Sequence, residues 1–432
     1  MNKPKQTLVV AFTLFSLFFG AGNLILPPYL GVQAGANWHW VALGFALTAV
    51  VIPILGILAH AKLQGSMFDF AKKVSPLFST IYCALLYGIA VFLAAPRTAS
   101  VTHELAVAPF FNTATFITSC IYFGTVFLFV INRSRLLSLI GKYLTPLIVI
   151  ILFIIIGLGV LRGSAEMVLT PVSTPFSLIT LGVFEGYQTF DAIAGVVVGA
   201  VIVLSLKTYD VGNFQTKKQL ISQAGFLAGF GLFVIYAGLI ICGYLLQNRI
   251  PDNASRTEVL ISLSQLTLGK IGATFLSVLV ALACFTTAVG IITGASDYVS
   301  GLYRDSRKAY ILTAIIASLI GVVVGSFKVG FIITIALPVL MFIYPITIVL
   351  ILLHVLPQKF ASALVFKAVV LITFLFSIPD FLKFIVPIGS LQGIINSIPL
   401  ATQNLGWVLP ALLVFLLLNF RNFTTKAISN QS

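Results

Sequence analysis

Two carboxylates, a run of small residues and a pair of hydroxyls stand out in an otherwise apolar chain. Glu185 and Asp191 bracket Gly186, Tyr187, Gln188, Thr189 and Phe190 inside one long hydrophobic stretch. An acid at that depth is costly in hydrocarbon, so it faces a cavity or a partner, or stands neutral and hydrogen-bonded between helices. Gly20, Ala21, Gly22 and Asn23 interrupt the first apolar stretch. Glycine weakens a helix, and peptide groups released at mid-membrane need another partner. A helix restarting near Leu24 would offer unpaired N–H groups and the positive end of its dipole, which suits a carboxylate. Close packing of helices through small residues is the alternative. Thr286 and Thr287 follow Ala283 and Cys284 in a further apolar stretch. Such hydroxyls, joined by backbone carbonyls, can ligate a hard cation, or each can bond the carbonyl four residues behind it.

The elements that must position these residues follow from composition. Of 432 residues, 59% are hydrophobic and 8% charged, against roughly a quarter charged in a soluble domain, and mean hydropathy is +1.11. A water-soluble fold is excluded, and the lipid bilayer is the implied solvent. A membrane helix needs about 20 mostly apolar residues, because its backbone polar groups must be satisfied within the segment. Twelve segments qualify, over 7–30, 39–60, 77–96, 114–131, 143–161, 179–205, 220–246, 271–297, 309–326, 330–353, 363–379 and 403–420. The expected fold class is all-α and polytopic, with 12 transmembrane helices in a single transmembrane domain over 1–432. Lys3 and Lys5 before an apolar stretch resemble a secretory signal, but the stretch runs past residue 26 without a cleavage site and reads as a retained first helix.

The net charge of +14 sits at the ends of the apolar runs. With the N-terminus inside, 18 of the 25 Lys and Arg fall on the cytoplasmic side, Lys62, Lys72, Lys73, Arg133, Arg135 and Lys142 among them, and both termini are cytoplasmic. The basic balance is then explained without nucleic acid. Arg97, after Pro96, falls on the outer side, as a snorkelling anchor, a partner of Glu104 or part of an external gate. Cys83, Cys120, Cys242 and Cys284 lie inside apolar runs without metal-like spacing and read as small buried hydrophobes. His39, His60, His103 and His354 lie near segment ends, away from any mid-depth nucleophile, which speaks against an enzyme. A channel needs polar groups along a continuous pore, whereas these converge on one level. No residue pattern sets an oligomeric state.

The interruptions in segments one and six lie five segments apart. A repeat with an odd number of helices inverts its second copy, and paired broken segments mark the site of a secondary transporter. The two halves would cover about 7–161 and 179–353, leaving segments eleven and twelve, about 363–420, outside. The run from Phe18 to Pro28, the Pro96-Arg97-Thr98-Ala99 sequence, and Glu185-Gly186-Tyr187 with Asp191-Ala192 together resemble the bacterial branched-chain amino acid:cation symporters (BrnQ or LIVCS), within the amino acid-polyamine-organocation superfamily. The resemblance covers most of the chain. It implies a leucine-transporter-like, five-plus-five inverted repeat and uptake of leucine, isoleucine and valine across the bacterial cytoplasmic membrane with Na+, or alternatively H+. It further implies that the substrate carboxylate rests on Gly20, Ala21, Gly22 and Asn23. The cation would sit between segments one and eight, on backbone oxygens near Ser16 and Phe19, the Ala283 carbonyl and the hydroxyls of Thr286 and Thr287. Glu185, or carbonyls near Gly186, would receive the ammonium, while Tyr187 and Tyr87 enclose the branched side chain. In the proton-coupled alternative Glu185 is the titrating group.

Overall fold

The computed structural model describes residues 3–132, 143–163, 174–208, 214–251 and 253–429, and every element among them is helical. Arg133, Arg135 and Lys142, counted above among the inner cations, lie outside the described residues. The chain opens with α1 (Lys3–Phe18) and α2 (Ala21–Ala34), separated by the non-helical Phe19 and Gly20. α3 (Trp38–Ala46) and α4 (Ile52–Leu63) form one rod through the π-helical turn Leu47–Val51, and the short α5 (Met67–Lys72) follows. α6 (Pro76–Ile89) and α7 (Ala95–Thr102) join in the same way through Ala90–Ala94, and a further π turn, His103–Val107, ends that rod. The turns at Leu47–Val51 and Ala90–Ala94 each lie just ahead of a proline, Pro53 or Pro96, whose missing N–H and bulky ring force the preceding turn to widen.

Then come α8 (Thr115–Ile131), α9 (Thr145–Arg162), α10 (Pro175–Tyr187), α11 (Asp191–Thr208) and α12 (Phe214–Leu246). The order ends with α13 (Arg256–Leu268), α14 (Gly272–Leu302), α15 (Arg307–Gly325), α16 (Val329–Val355), α17 (Ala363–Leu382), α18 (Ile388–Ser397) and α19 (Val408–Ser429). Among the described residues, eight helical stretches are long and apolar enough to cross a bilayer, and four shorter apolar helices include Gln6–Phe18 and Asp191–Ala200. The chain is a multi-pass membrane protein.

Two departures from the expected segments bear on function. Segment three, expected to end at 96, continues to Val107, which carries Arg97 from the outer edge into a helix interior. The expected loop 247–270 contains α13, whose start is fixed by the reciprocal Ser255–Glu258 capping box, an S-x-x-E signal present in the sequence. His60 and His354, near segment ends, are buried and stack with Phe70, with ring centroids 4.9 and 4.4 Å apart. Of the four free cysteines three are buried and Cys120 is exposed.

Small residues let the rods touch backbone to backbone. A Cβ added to Gly44 would lie 2.0 Å from the Ile179 carbonyl oxygen, and one added to Gly182 would lie 2.2 Å from that of Val41. Glycine at those positions is what allows α3 and α10 to pack at this distance. Gly186 belongs to the same seam, since its Cβ would lie 2.0 Å from Thr48 Oγ1. The packed interior thus holds α10 rigidly up to Tyr187, where the helix stops.

Candidate functional site

Two helices break side by side. In the first, Gly20 serves as N-cap of α2 with extended backbone, and its N–H donates to Asn23 Oδ1 at 3.0 Å. The first-turn N–H groups of a helix have no partner within it, so α2 presents donors and a positive dipole end at this point. In the second, Gln188, Thr189 and Phe190 connect α10 to α11, and Phe190 adopts φ +65°. A left-handed conformation is strained for a bulky aromatic, by about 1–3 kcal/mol, and such strain collects at functional sites. Asn23 ties the two breaks together. Its Nδ2 donates to Asp191 Oδ2 at 2.6 Å and to the Tyr236 hydroxyl, and that hydroxyl donates to the same Asp191 oxygen at 3.3 Å. All three side chains are at most 1% exposed.

A cavity opens where the breaks meet α7 and α14, lined by Gly20, Asn23, Asp191, Arg97 and Thr287 and flanked by apolar side chains including Ile193, Val197 and Ile291. Its polar end is thus made of opposite charges, and its flank suits a hydrocarbon group.

Beside the cavity, α1 meets α14 through oxygen atoms. Ser16 Oγ donates to Thr286 Oγ1 at 3.0 Å, while Thr286 Oγ1 lies 3.0 Å from the Ala283 carbonyl oxygen and 3.3 Å from that of Ser16. Thr287 Oγ1 lies 3.5 Å from the Phe19 carbonyl oxygen, which the helix break leaves without its ordinary partner. Five residues, from α1, the gap after it and α14, therefore converge with oxygen ligands, all of them neutral. Hard cations take oxygen ligands, and a set without a carboxylate matches a monovalent ion better than Ca2+ or Mg2+, which recruit Asp or Glu. No cluster of His, Cys, Asp and Glu fit for a metal exists among the described residues.

The other residues singled out from sequence fall elsewhere. Glu185 does not line the cavity: Arg256, at the start of α13, donates to it from Nε at 3.2 Å and from Nη2, and lies over the Tyr29 ring at 4.7 Å. Burial disfavours the charge on Arg256, but Glu185 outweighs it and raises the guanidinium pKa. The acid is occupied by a residue 71 positions later, in a segment expected as loop. Tyr187 packs on Tyr344 with ring centroids 4.3 Å apart, and Tyr87 stacks on Tyr298 at 4.5 Å, so neither contributes to the cavity wall. Gly186 serves the α3–α10 seam.

Arg97 and Asp191 take the polar positions instead. Asp191 was visible as the second intramembrane acid. Arg97 was read as an edge residue because the helix was expected to end before it, whereas it is 3% exposed and its guanidinium lies over the Phe190 ring at 4.8 Å. Glu104, its expected partner, accepts from the Val329 N–H instead.

Comparison with known proteins gives the family and the fold. A profile of the family described as branched-chain amino acid transport protein matches residues 3–424. The branched-chain amino acid permease BraB of Bacillus subtilis is 33% identical over 418 residues, which cover 94% of this chain and 93% of its own. The branched-chain amino acid transport system 2 carrier protein of Pseudomonas aeruginosa is 31% identical over 420 residues, covering 96% and 95%. Among solved structures, a substrate-bound, outward-open Na+-coupled sialic acid symporter matches with a TM-score of 0.60 at 14% identity, covering 94% of this chain and 88% of its own. MhsT in complex with L-phenylalanine matches with a TM-score of 0.57 at 17% identity, covering 94% and 97%. The fold is leucine-transporter-like, and the relatives are permeases and carriers, not enzymes.

Proposed function

The chain belongs to the branched-chain amino acid transport protein family, and from that premise we propose that it imports leucine, isoleucine or valine by symport with Na+ through alternating access. The observation that carries this reading is the cavity formed where two helices break together, with charged and freed polar groups at one end and an aliphatic flank. The substrate carboxylate is received at the start of α2, around Gly20 to Asn23. Asp191, and not the Arg256-bound Glu185, faces the substrate ammonium. Ile193, Val197 and Ile291 meet the branched side chain. One methylene in such a pocket is worth roughly 1–3 kcal/mol, so the three amino acids compete for a single site.

Na+ occupies the oxygen set of Ser16, Phe19, Ala283, Thr286 and Thr287, joining α1 to α14. An ion bound there favours whichever conformation brings those oxygens together, and so favours the arrangement of the adjoining break that takes the substrate. Glu185 is held by Nε and Nη2 of Arg256 and does not line the cavity, so the coupling ion is assigned to the α1–α14 oxygens and not to a proton on this acid. On this reading the chain makes twelve crossings of the bacterial cytoplasmic membrane with both termini inside, α1 with α2 forming the first and α10 with α11 the sixth. The first ten crossings form the five-plus-five inverted repeat.

Uptake of labelled leucine into proteoliposomes under an imposed Na+ or H+ gradient, with isoleucine, valine and alanine as competitors, tests this reading. Accumulation driven by Na+ and blocked by isoleucine and valine is expected. Absence of gradient-driven accumulation overturns symport, accumulation driven by protons alone overturns the choice of ion, and strong competition by alanine overturns the branched-chain pocket.

A further inference from the structure

We propose that Arg97 is the residue that reads the carboxylate of the transported amino acid, pairing with it bidentately and making the site specific for a free α-carboxylate. This deepens the reading of the cavity as an amino acid site and rests on it. Arg97 stands inside α7, between two π turns, and is 3% exposed. Its Nε and Nη1 are buried without a hydrogen-bond partner, and it forms no ion pair among the described residues. An arginine cannot shed its charge and carries five N–H donors in a fixed fork. A buried guanidinium in that condition is costly, and a cation–π contact with Phe190 offsets only part of the cost.

The position of the charge shows what it lacks. A Cβ added to Gly22 would lie 2.7 Å from Arg97 Nη2, so the guanidinium reaches the first turn of α2. Two positive poles, a cationic side chain and a helix N-terminus, therefore converge on one wall of the cavity. Such an arrangement repels itself unless an anion lies between them. Asp191, the acid on the same cavity, has Oδ2 committed to Asn23 and Tyr236. An α-amino acid carries a carboxylate and an ammonium on one carbon, which matches a cavity whose polar end holds Arg97 and Asp191 as separate, opposite charges. The strained Phe190 backbone holds its ring beneath the guanidinium and keeps the fork in place.

The test is equilibrium binding to the purified, full-length protein, comparing leucine with leucinol, which keeps the ammonium and side chain but lacks the carboxylate. Wild type should prefer leucine by roughly a hundredfold. Arg97→Gln should lower leucine affinity by a similar factor while leaving leucinol binding near its wild-type value, and Arg97→Lys should fall between, since it keeps the charge without the fork. An unchanged leucine-to-leucinol ratio in folded Arg97→Gln, checked by gel filtration, overturns the proposal. The wild-type comparison needs no variant, so equal affinity for the two ligands overturns it even if Arg97→Gln fails to fold. Repeating leucine binding in chloride and in gluconate separates the substrate from an inorganic anion. Leucine binding that requires chloride would assign Arg97 to the halide and overturn the proposal. A wild-type protein that binds neither ligand overturns the amino acid reading itself, a result distinguishable from the others.

Discussion

Replacing Thr286 with valine keeps the side-chain volume nearly unchanged and removes one oxygen from the seam between α1 and α14. That oxygen lies within 3.0–3.3 Å of Ser16 Oγ and of the Ala283 and Ser16 carbonyls, the closest convergence in the seam. An interaction with a charged group contributes about 1.5–3 kcal/mol. At about 1.4 kcal/mol per factor of ten, losing one ligand raises the half-saturating Na+ concentration roughly tenfold to a hundredfold. Thr287→Val removes an oxygen 3.5 Å from the Phe19 carbonyl, a longer contact, and should raise it less. Thr286→Ser keeps the oxygen and should stay near wild type. The measurement is leucine uptake into proteoliposomes against external Na+, with thermal stability recorded in parallel because Ser16 Oγ also loses its acceptor. A folded Thr286→Val protein with unchanged Na+ dependence would refute the assignment of these oxygens to the ion.

Glu185→Gln should leave leucine affinity nearly intact, since Glu185 faces Arg256 and not the cavity. Loss of leucine binding in that variant would return the acid to the ammonium. In a double-mutant cycle on thermal stability, Glu185→Gln and Arg256→Gln should couple by about 1 kcal/mol, a figure kept low because Arg256 is 30% exposed. Gly186→Ala must push α10 away from Thr48 and should lower stability by about 1–3 kcal/mol. Gly88→Ala, inside α6 with nothing within 4 Å of the new methyl group, should hold or slightly raise the thermal midpoint.

Hydropathy showed a multi-pass helical protein because a lipid-length apolar run is a one-dimensional signal. It gives depth along a helix and says little about which direction a side chain points. Glu185 and Asp191 lie six positions apart in one stretch, and what separates their roles is Arg256 in α13, whose capping box was readable but whose contact was not. Arg97 was misplaced for a related reason. Pro96 looks like the end of a helix, yet the widened turn at Ala90–Ala94 absorbs the proline and the rod continues to Val107. In segment six the chain leaves the helix only after Tyr187, because Gly186 is packed against Thr48 and its freedom is spent on helix contact. The hydroxyls of segment eight were legible as a pair, while their convergence on Ser16 and Phe19, which depends on how α1 crosses α14, came from the family resemblance and not from the residues alone.

The two sites share one short piece of chain. Ser16 and Phe19 offer their carbonyls toward α14, and Gly20 and Asn23, one and four residues after Phe19, border the cavity, with Asn23 donating to Asp191. A ligand on either side must therefore act on the same few backbone dihedrals, and no longer path is needed to connect them. In the proposed symport such coupling is reciprocal: the factor by which Na+ would tighten leucine binding is the factor by which leucine would tighten Na+ binding. The Gly20 position brings the two side by side, since a Cβ there would lie 2.9 Å from Thr287 Oγ1. For the proposed symport, the two-residue gap is the link between the oxygen seam and the cavity.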